Sequence, residues 1–267
     1  MRVAVLGCGP AGLMAAQGVD DAQVDGIEIA IFSRKQKSSL YGAQYLHRPI
    51  PGFTTKDNFI DIDYQIIGDA GMYRAKVYGD SWPGTVSPQE LGSRHAAWDI
   101  RETYDRLWEK WEPYIHHIDN ITPGWLTYLA ESFKPDLVIS SVPRDMMCIW
   151  GHHFGFATIV AAGDAPDLGI DVGRMYPCPE GTVVCSGEPD VSWYRKSRIF
   201  GHTTVEWPAN IRPPINSAAI VRKPTHHQCD CWGGVVWVGR YGKWAKGVLS
   251  HTAYDDAIEA VEKAAAL

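Results

Sequence analysis

The sequence lacks any apolar run approaching the ~20 residues that a membrane-spanning helix requires. Its opening residues lead from Met1 directly into a glycine-rich segment at Gly7, which leaves no room for the apolar region of a signal peptide. It also contains no internal repeat and no low-complexity segment. We therefore expect a cytoplasmic protein with no membrane partner.

An excess of positive charge is also lacking. The 267 residues include 25 Lys and Arg against 31 Asp and Glu, which gives a formal net charge of −6 at pH 7. Such a chain has no general attraction for a phosphate backbone. Nucleic acid is therefore an unexpected partner and a small molecule the expected one, while the oligomeric state is left open.

Cysteine is scarce, with six residues in the chain, too few for a disulfide framework at this length. The segment from His226 to Cys231 nevertheless concentrates side chains that bind metals, although its C-x-C spacing differs from the usual C-x-x-C of zinc sites. We predict no metal, and leave open whether His226 and His227 bind one together with Cys229 and Cys231. The other cysteines available to complete such a site are Cys178 and Cys185.

The order of the predicted elements indicates an α/β fold. Residues 2–7 form a short apolar run, residues 10–19 suit a helix, and residues 27–32 alternate into a second strand. A third strand is predicted at Leu137–Ser141, and the chain closes with a strand at 235–238 and a helix beyond it. This pattern predicts a Rossmann-like, doubly wound domain.

The intervening residues predict a β-rich, substrate-facing insertion. We expect the doubly wound domain to comprise residues 1–58, 134–150 and 232–267, and the insertion to comprise residues 59–133 and 151–231. Within the insertion, the patterns predict a β-hairpin from strands 59–67 and 72–78, a helix capped at Ser87, and strands at 182–186 and 191–207.

The segment Gly7-Cys8-Gly9-Pro10-Ala11-Gly12 fits the G-x-G-x-x-G pattern between the first predicted strand and helix. Gly7 permits a tight turn, Gly9 lets the backbone approach a pyrophosphate, and Gly12 allows close packing of the helix. The helix N-terminus adds N–H donors and the positive end of a dipole. This segment predicts a dinucleotide site.

The acidic residue that usually binds the adenosine ribose at the end of the second strand is missing. Ser33, Arg34 and Lys35 stand there instead. Either the two cations bind a 2′-phosphate, which indicates NADP, or Ser33 hydrogen-bonds a plain ribose and the cations are solvated. The local residues leave both alternatives open.

A resemblance to a known family favours FAD. The run Gly9-Pro10-Ala11-Gly12-Leu13, followed by Ala15 and Ala16, resembles the opening of FAD-dependent oxidoreductases of the glutathione-reductase-like superfamily. The run from Val238 to Trp244 resembles the last FAD-contacting segment of that superfamily, particularly in its UDP-galactopyranose mutase and amine-oxidase branches.

The resemblance also implies which residues lie at the cofactor. The segment from Leu40 to His47 is similar to the stretch that passes along the flavin in those proteins. With the glycine motif and the expected strand ends, the implied cofactor-binding residues are Gly7, Gly9, Pro10, Ala11, Gly12, Ser33, Arg34, Lys35, Gly42, Ala43, Gln44, Ser141, Gly239, Arg240 and Trp244.

Four residues are candidates for catalysis. His47 and His251 lie on segments expected near the flavin, and histidine titrates near physiological pH. Arg195 and Arg198 lie on a strand similar to the arginine-bearing strand of the mutase branch. Because they are three residues apart, strand alternation places them on opposite faces, so at most one faces a pocket.

The resulting hypothesis is an FAD-dependent oxidoreductase acting on a small polar or anionic substrate, with an amine as one possibility. The alternatives are an NADP-dependent reductase in which Arg34 and Lys35 bind the 2′-phosphate, a flavin-dependent mutase or lyase acting on a sugar nucleotide or modified nucleobase, and a non-catalytic nucleotide-binding protein.

Overall fold

The computed structural model describes residues 1–55, 58–80, 84–86, 92–162, 178–212 and 218–266. The strands in these ranges are β1 (Arg2–Leu6), β2 (Glu28–Ser33), β3 (Ile60–Gly68), β4 (Arg94–Ala97), β5 (Ile115–His117), β6 (Leu137–Ser140), β7 (Phe154–Ala162), β8 (Thr182–Gly187), β9 (Arg195–Ile199), β10 (His202–Pro208), β11 (Ala219–His227) and β12 (Val235–Trp237). The α-helices are α1 (Pro10–Asp21), α2 (Ala70–Tyr78), α3 (Ile100–Trp111), α4 (Pro123–Ser132), α5 (Arg144–Met147), α6 (Gly239–Lys243) and α7 (Thr252–Ala265). Among these described helices, none is long and apolar enough to cross a bilayer.

The first sheet is parallel and has the strand order β12-β6-β1-β2-β5. Its central strand β1 is apolar and buried from Val3 to Leu6, as expected for a strand covered on both faces. Helices α1 and α7 pack against each other beside it, and Gly18 makes this possible, since a Cβ there would lie 2.3 Å from the carbonyl oxygen of Tyr254. The predicted Rossmann-like sheet is confirmed.

The second sheet has seven strands in the order β11-β7-β10-β9-β8-β3-β4. Its neighbours pair antiparallel except β3 and β8, which are parallel. The predicted β-rich insertion is therefore present, and the α/β fold class is confirmed.

The predicted hairpin at 59–67 and 72–78 is wrong in its second half. Residues 60–68 form β3, but the chain then turns into α2. Asp69 caps this helix by accepting a hydrogen bond from the N–H of Met72, and the buried residues Tyr73 and Val77 lie one helical turn apart. The helix cap at Asp69 thus favours a helix more strongly than the short alternation of apolar residues favours a strand.

Two further differences concern element boundaries. The predicted strand 191–207 is two strands, β9 and β10, joined by a turn at Phe200 and Gly201, which both have positive φ angles. The predicted helix cap at Ser87 lies outside the described residues, and the described helix α3 begins at Ile100 with Asp99 as its cap.

Residues 100–132 lie with the parallel sheet, although we had expected them in the insertion. Strand β5 pairs with β2 at the sheet edge, and α3 packs against α1. Helix α3 is amphipathic, and its buried residues Tyr104, Leu107 and Trp111 join the core of the first sheet. Helical periodicity predicts that such a face is buried, but not against which sheet.

Candidate functional site

A cleft of about 940 Å³ runs from the glycine loop to the strands of the second sheet. Its size lies within the range of about 300–1,000 Å³ that is usual for small-molecule sites. The residues predicted for cofactor binding or catalysis that line it are Gly7, Gly9, Pro10, Ala11, Ser33, Arg34, Ala43, Gln44, His47, Ser141, Arg195 and Arg240.

The glycine loop has the backbone geometry of a diphosphate site. Gly7 has φ +94°, a conformation that favours glycine, and a Cβ on Gly12 would lie 2.0 Å from the carbonyl oxygen of Gly7. Helix α1 follows at Pro10, with Gly9 as its N-cap and no hydrogen bond from a side chain at that end. The helix N-terminus therefore faces the cleft that Gly9, Pro10 and Ala11 line.

Ser33 lies at the cleft beside this loop, at the end of β2. Its hydroxyl accepts a hydrogen bond from the N–H of Cys8 over 3.2 Å. Ser33 is therefore held where a nucleotide ribose is expected in this type of loop.

The two cations that follow Ser33 already have partners. Arg34 donates to the carbonyl oxygen of Asp119 over 2.8 Å and to Asn120 Oδ1 over 2.7 Å. Lys35 pairs with Glu112 at 2.8 Å and lies outside the cleft lining. A 2′-phosphate would have to compete with these contacts.

Several predicted cofactor residues serve packing. The Ser141 hydroxyl donates to the carbonyl oxygen of Leu6 over 3.0 Å, close against Gly7. Gly239 has φ +67°, and a Cβ there would lie 2.4 Å from that of Ala11. Trp244 is buried, and its Nε1 donates to the carbonyl oxygen of Gly155 over 2.9 Å. Gly239 and Trp244 thus support the loop and the core without lining the cleft.

Ala43 and Gln44 line the cleft next to Glu206, whereas Gly42 does not line it. The Ala43 N–H donates to Glu206 Oε1 over 3.3 Å, and a Cβ on Gly42 would lie 2.7 Å from the same oxygen. The predicted flavin-side segment is therefore held by a buried carboxylate.

Glu206 is the centre of a buried charge cluster at the far end of the cleft. Its side chain is 1% exposed and accepts hydrogen bonds from Arg195 Nε over 2.8 Å, from Lys223 Nζ and from the Tyr194 hydroxyl. Arg195, Glu206 and Lys223 line the cleft. Two cations against one carboxylate leave one surplus positive charge there.

The cluster shifts the pKa values of its members. Burial raises the pKa of Glu206, but the attraction of Arg195 and Lys223 outweighs burial and holds that pKa well below its usual range. Burial lowers the pKa of Lys223 to about 7, with repulsion from Arg195 acting in the same direction and Glu206 partly offsetting both. Lys223 therefore loses its proton near neutral pH.

Arg195 and Arg198 point to opposite faces of β9, as alternation predicts. Arg195 lies in the charge cluster, whereas Arg198 is 51% exposed and pairs with Glu180 at 3.4 Å. Arg198 is absent from the cleft lining.

The two candidate histidines lie in one cluster with His95. The ring centroid of His47 is 5.6 Å from that of His95 and 5.9 Å from that of His251. Burial, and then the two neighbouring histidines, lower the pKa of His47 to about 4, and burial also lowers the pKa of His251. Both shifts move the pKa further below physiological pH, which weakens the reason for choosing these two histidines as proton carriers. His47 lines the cleft and His251 does not.

Sequence reasoning missed Glu206 and Lys223. A signal for Glu206 was present, because it stands between the apolar residues Val205 and Trp207 in a predicted strand, and both neighbours are buried. A glutamate at such a position is almost never buried without a partner. Identifying that partner requires the pairing of β10 with β9, which the sequence does not state.

The fold is that of flavin-dependent proteins. Reduced UDP-galactopyranose mutase superposes with a TM-score of 0.55 at 12% identity, covering 98% of this chain and 93% of that one. BrvH, a flavin-dependent halogenase from Brevundimonas sp. BAL3, gives 0.54 at 12% identity, covering 97% of this chain and 70% of that one. A flavoprotein/dehydrogenase from Cytophaga hutchinsonii gives 0.52 at 13% identity, covering 99% and 78% respectively.

This chain resembles these proteins in its fold and hardly in its sequence. No family model matches the chain, and no curated protein matches it in sequence. The expected flavoprotein resemblance is confirmed as a fold, while the finer placement in the glutathione-reductase-like superfamily stays a prediction.

Proposed function

We propose that this protein is an FAD-dependent oxidoreductase whose substrate is a small anionic molecule. The observation that carries the proposal is a single cleft that joins a glycine loop suited to a diphosphate to a buried cluster with one surplus positive charge.

The residues of the cleft fit FAD. The N-terminus of α1 and the loop from Gly7 to Gly9 would hold the diphosphate, and Ser33 would hydrogen-bond the adenosine ribose. The segment from Gly42 to Gln44 would lie along the ring system at the other end of the cleft. When bound, FAD supplies the redox chemistry, and the protein provides position, charge and exclusion of water.

The contacts of Arg34 and Lys35, the two cations after β2, favour FAD over NADP. Arg34 is bonded to Asp119 and Asn120, and Lys35 is paired with Glu112. The two cations that could bind a 2′-phosphate therefore already have partners within the protein. We propose instead that Ser33 hydrogen-bonds an adenosine ribose without a 2′-phosphate.

The charge cluster supports an anionic substrate. Arg195 and Lys223 both pair with Glu206, so the support comes from the net charge: two cations against one carboxylate give the cluster a positive field that attracts a carboxylate or phosphate. The surplus positive charge opposes a protonated amine, so the amine class is not favoured here. With its lowered pKa, Lys223 is also the group best placed to give up or receive a proton at neutral pH.

Cofactor titration of the purified protein tests the proposal. We expect a yellow complex that absorbs near ~450 nm with FAD, the cofactor whose chemistry the proposal invokes, and only weak binding of NADPH. Anaerobic stopped-flow mixing with small oxidisable anions, such as hydroxy acids and sugar phosphates, then identifies the substrate class, since only a compound that donates two electrons to the flavin bleaches that band. Tight NADPH binding that Arg34→Ala abolishes, without affinity for FAD, would refute the proposal in favour of the reductase.

A further inference from the structure

Two connections between the sheets run side by side. Residues 148–153 lead from α5 to β7, and residues 228–234 lead from β11 back to β12. The N–H of Gln228 donates to the carbonyl oxygen of His153 over 3.2 Å, and Trp232 Nε1 donates to that of Met147 over 2.7 Å. The chain thus leaves and re-enters the parallel sheet at the same place.

Three cysteines and one histidine meet between these connections. The three thiol sulfur atoms and a ring nitrogen of the cluster, formed by Cys148, His152, Cys229 and Cys231, all lie within 4.8 Å of one another. Cys229 and Cys231 are buried, and all three cysteines are free thiols. Three thiols and one imidazole nitrogen at this spacing match the Cys₃His donor set of structural zinc sites.

The two nitrogen–sulfur distances within the cluster agree with tetrahedral coordination of one ion. His152 Nδ1 lies 3.4 Å from Cys148 Sγ and 3.6 Å from Cys231 Sγ. Bonds of about 2.3 Å to sulfur and about 2.0 Å to nitrogen in a tetrahedron place the two ligand atoms roughly 3.5 Å apart. These two nitrogen–sulfur distances need little adjustment to accept the ion.

The other ring nitrogen of His152 provides an independent indication. His152 Nε2 lies 3.6 Å from the carboxylate of Asp230, while Nδ1 faces the sulfur atoms. A histidine that binds a metal through one nitrogen usually presents the other to a carboxylate or carbonyl, which fixes the tautomer. At 3.6 Å, Asp230 lies just beyond hydrogen-bond distance of Nε2, so a small rotation of its exposed side chain would make it the orienting partner.

We propose that Cys148, His152, Cys229 and Cys231 bind one Zn²⁺ in a closed, structural site that joins the two connections. The protein supplies all four ligands, so the ion holds the crossing between the sheets and takes no part in the chemistry of the cleft. Neither the proposed cofactor nor the proposed substrate class is needed for this inference.

This ligand set differs from the one considered from the sequence, where no metal was predicted. His226 stacks against His153 at 5.5 Å between ring centroids, and His227 Nδ1 accepts the N–H of Cys229 over 3.0 Å. Cys185 lies in β8, and Cys178 contacts the start of that strand. Pairing of β7 with β11 brings Cys148 and His152 to the C-x-C segment instead.

Metal analysis of the intact protein tests the site directly. Protein purified without chelators is expected to contain about one zinc per chain, as a closed site with four protein ligands predicts. After chelation under reducing conditions, CoCl₂ should give the intense visible absorption of tetrahedral cobalt thiolate, and ZnCl₂ should displace it. Absence of both zinc and this spectrum in protein whose thiols titrate as reduced would overturn the proposal, as would a disulfide within the cluster.

Matched variants locate the ligands. His152→Ala is expected to lose the cobalt spectrum, and the neighbouring His153→Ala is expected to keep it; equal loss in both would overturn the assignment. Because ligand variants can fail to fold, Asp230→Asn serves as a milder test: losing an orienting carboxylate typically lowers metal affinity about 10–100-fold, and we expect about tenfold here because Asp230 is exposed. Competition with a chromogenic chelator measures this ratio, and unchanged affinity would remove the orienting role from the proposal.

Discussion

At the scale of single residues, Gly9 leaves without a side chain the end of the cleft where we propose that the diphosphate binds. Its backbone angles, φ −69° and ψ 175°, are open to any residue. A Cβ there would lie 3.4 Å from its nearest neighbour, Ser38 Oγ, which is an ordinary contact. The fold thus has room for a Cβ at this position, so packing alone does not require glycine there.

Gly9→Val is therefore expected to weaken FAD binding without unfolding the protein. The loss should be roughly tenfold or more, because the γ-methyl groups occupy the space through which the backbone approaches a diphosphate. Fluorescence titration measures the dissociation constant. Gly124→Val in α4 is the control, since open space surrounds its Cβ position; equal loss in the two variants would show that Gly9 has no special role.

Lys223 gives the cleft a predictable pH dependence. Below pH 7 its ammonium adds to Arg195 and leaves the cluster with one surplus positive charge, and above its pKa of about 7 the surplus is gone. The affinity for an anion such as benzoate should therefore fall as the pH rises through about 7. The charged or titratable groups that surround Lys223 are Arg195, Glu206, Tyr194 and Arg240.

Lys223→Gln should bind benzoate weakly at all pH values and show no transition near pH 7. Difference spectroscopy of the FAD complex, or calorimetry, measures the affinity from pH 6 to pH 9. A transition that persists in Lys223→Gln would assign the titration to another group.

At the scale of secondary-structure elements, the same strand carries a buried ion pair on one face and an exposed one on the other. Arg195 of β9 pairs with Glu206 inside the cluster, and Arg198 pairs with Glu180 at the surface. Removing one partner of a buried ion pair leaves the remaining charge buried without a counter-ion, which is strongly destabilising. An exposed pair is screened by water, so its loss costs little.

Glu206→Gln is expected to lower the free energy of unfolding by roughly 3–5 kcal/mol, since two cations lose their buried counter-ion. Glu180→Gln, the matched control, is expected to cost at most about 1 kcal/mol because its pair is exposed. Urea denaturation followed by tryptophan fluorescence compares the two. Similar losses would contradict the buried network.

The sign of the pH effect on stability follows from the lowered pKa of Glu206. The folded protein binds this proton less readily than the unfolded chain, so the stabilisation is complete above the ordinary carboxyl pKa and is lost as the pH falls below it. Lys223 acts on the basic side: its lowered pKa makes stability rise between about pH 7 and its ordinary value of 10.5.

At the scale of the whole molecule, the cleft depends on both sheets. The loop after β1 provides one end, and residues of β9, β10 and β11 provide the other. A ligand that spans the cleft contacts both sheets, so its binding stabilises the molecule as a unit.

Saturating FAD is therefore expected to raise the Tm. By mass action, a ligand at 100 times its Kd adds about 2.7 kcal/mol to the stability of the folded state. Differential scanning fluorimetry with FAD, NADPH and no addition measures the shift, and Gly9→Val should show a smaller shift at the same FAD concentration. A shift with NADPH alone would contradict the assignment of the cofactor.

Local patterns sufficed where structure is decided locally. The strand, glycine loop and helix at residues 2–21 follow from apolar periodicity and from backbone geometry that only glycine allows, and the third strand ending near Ser141 was found by the same means. Apolar periodicity wrongly predicted a strand at residues 72–78, which form part of a helix capped by Asp69. It also could not assign α3 to a sheet.

The sequence by itself determined the α/β class, the glycine loop before α1 and the separation of Arg195 from Arg198, because each depends on residues that are neighbours along the chain. Only the tertiary structure decided that Arg195, Glu206 and Lys223 share one buried cluster, and that Cys148 and His152 meet Cys229 and Cys231. These groups are brought together by pairing among β7, β9, β10 and β11, and the register of strands distant in sequence is set by the packing of the whole sheet.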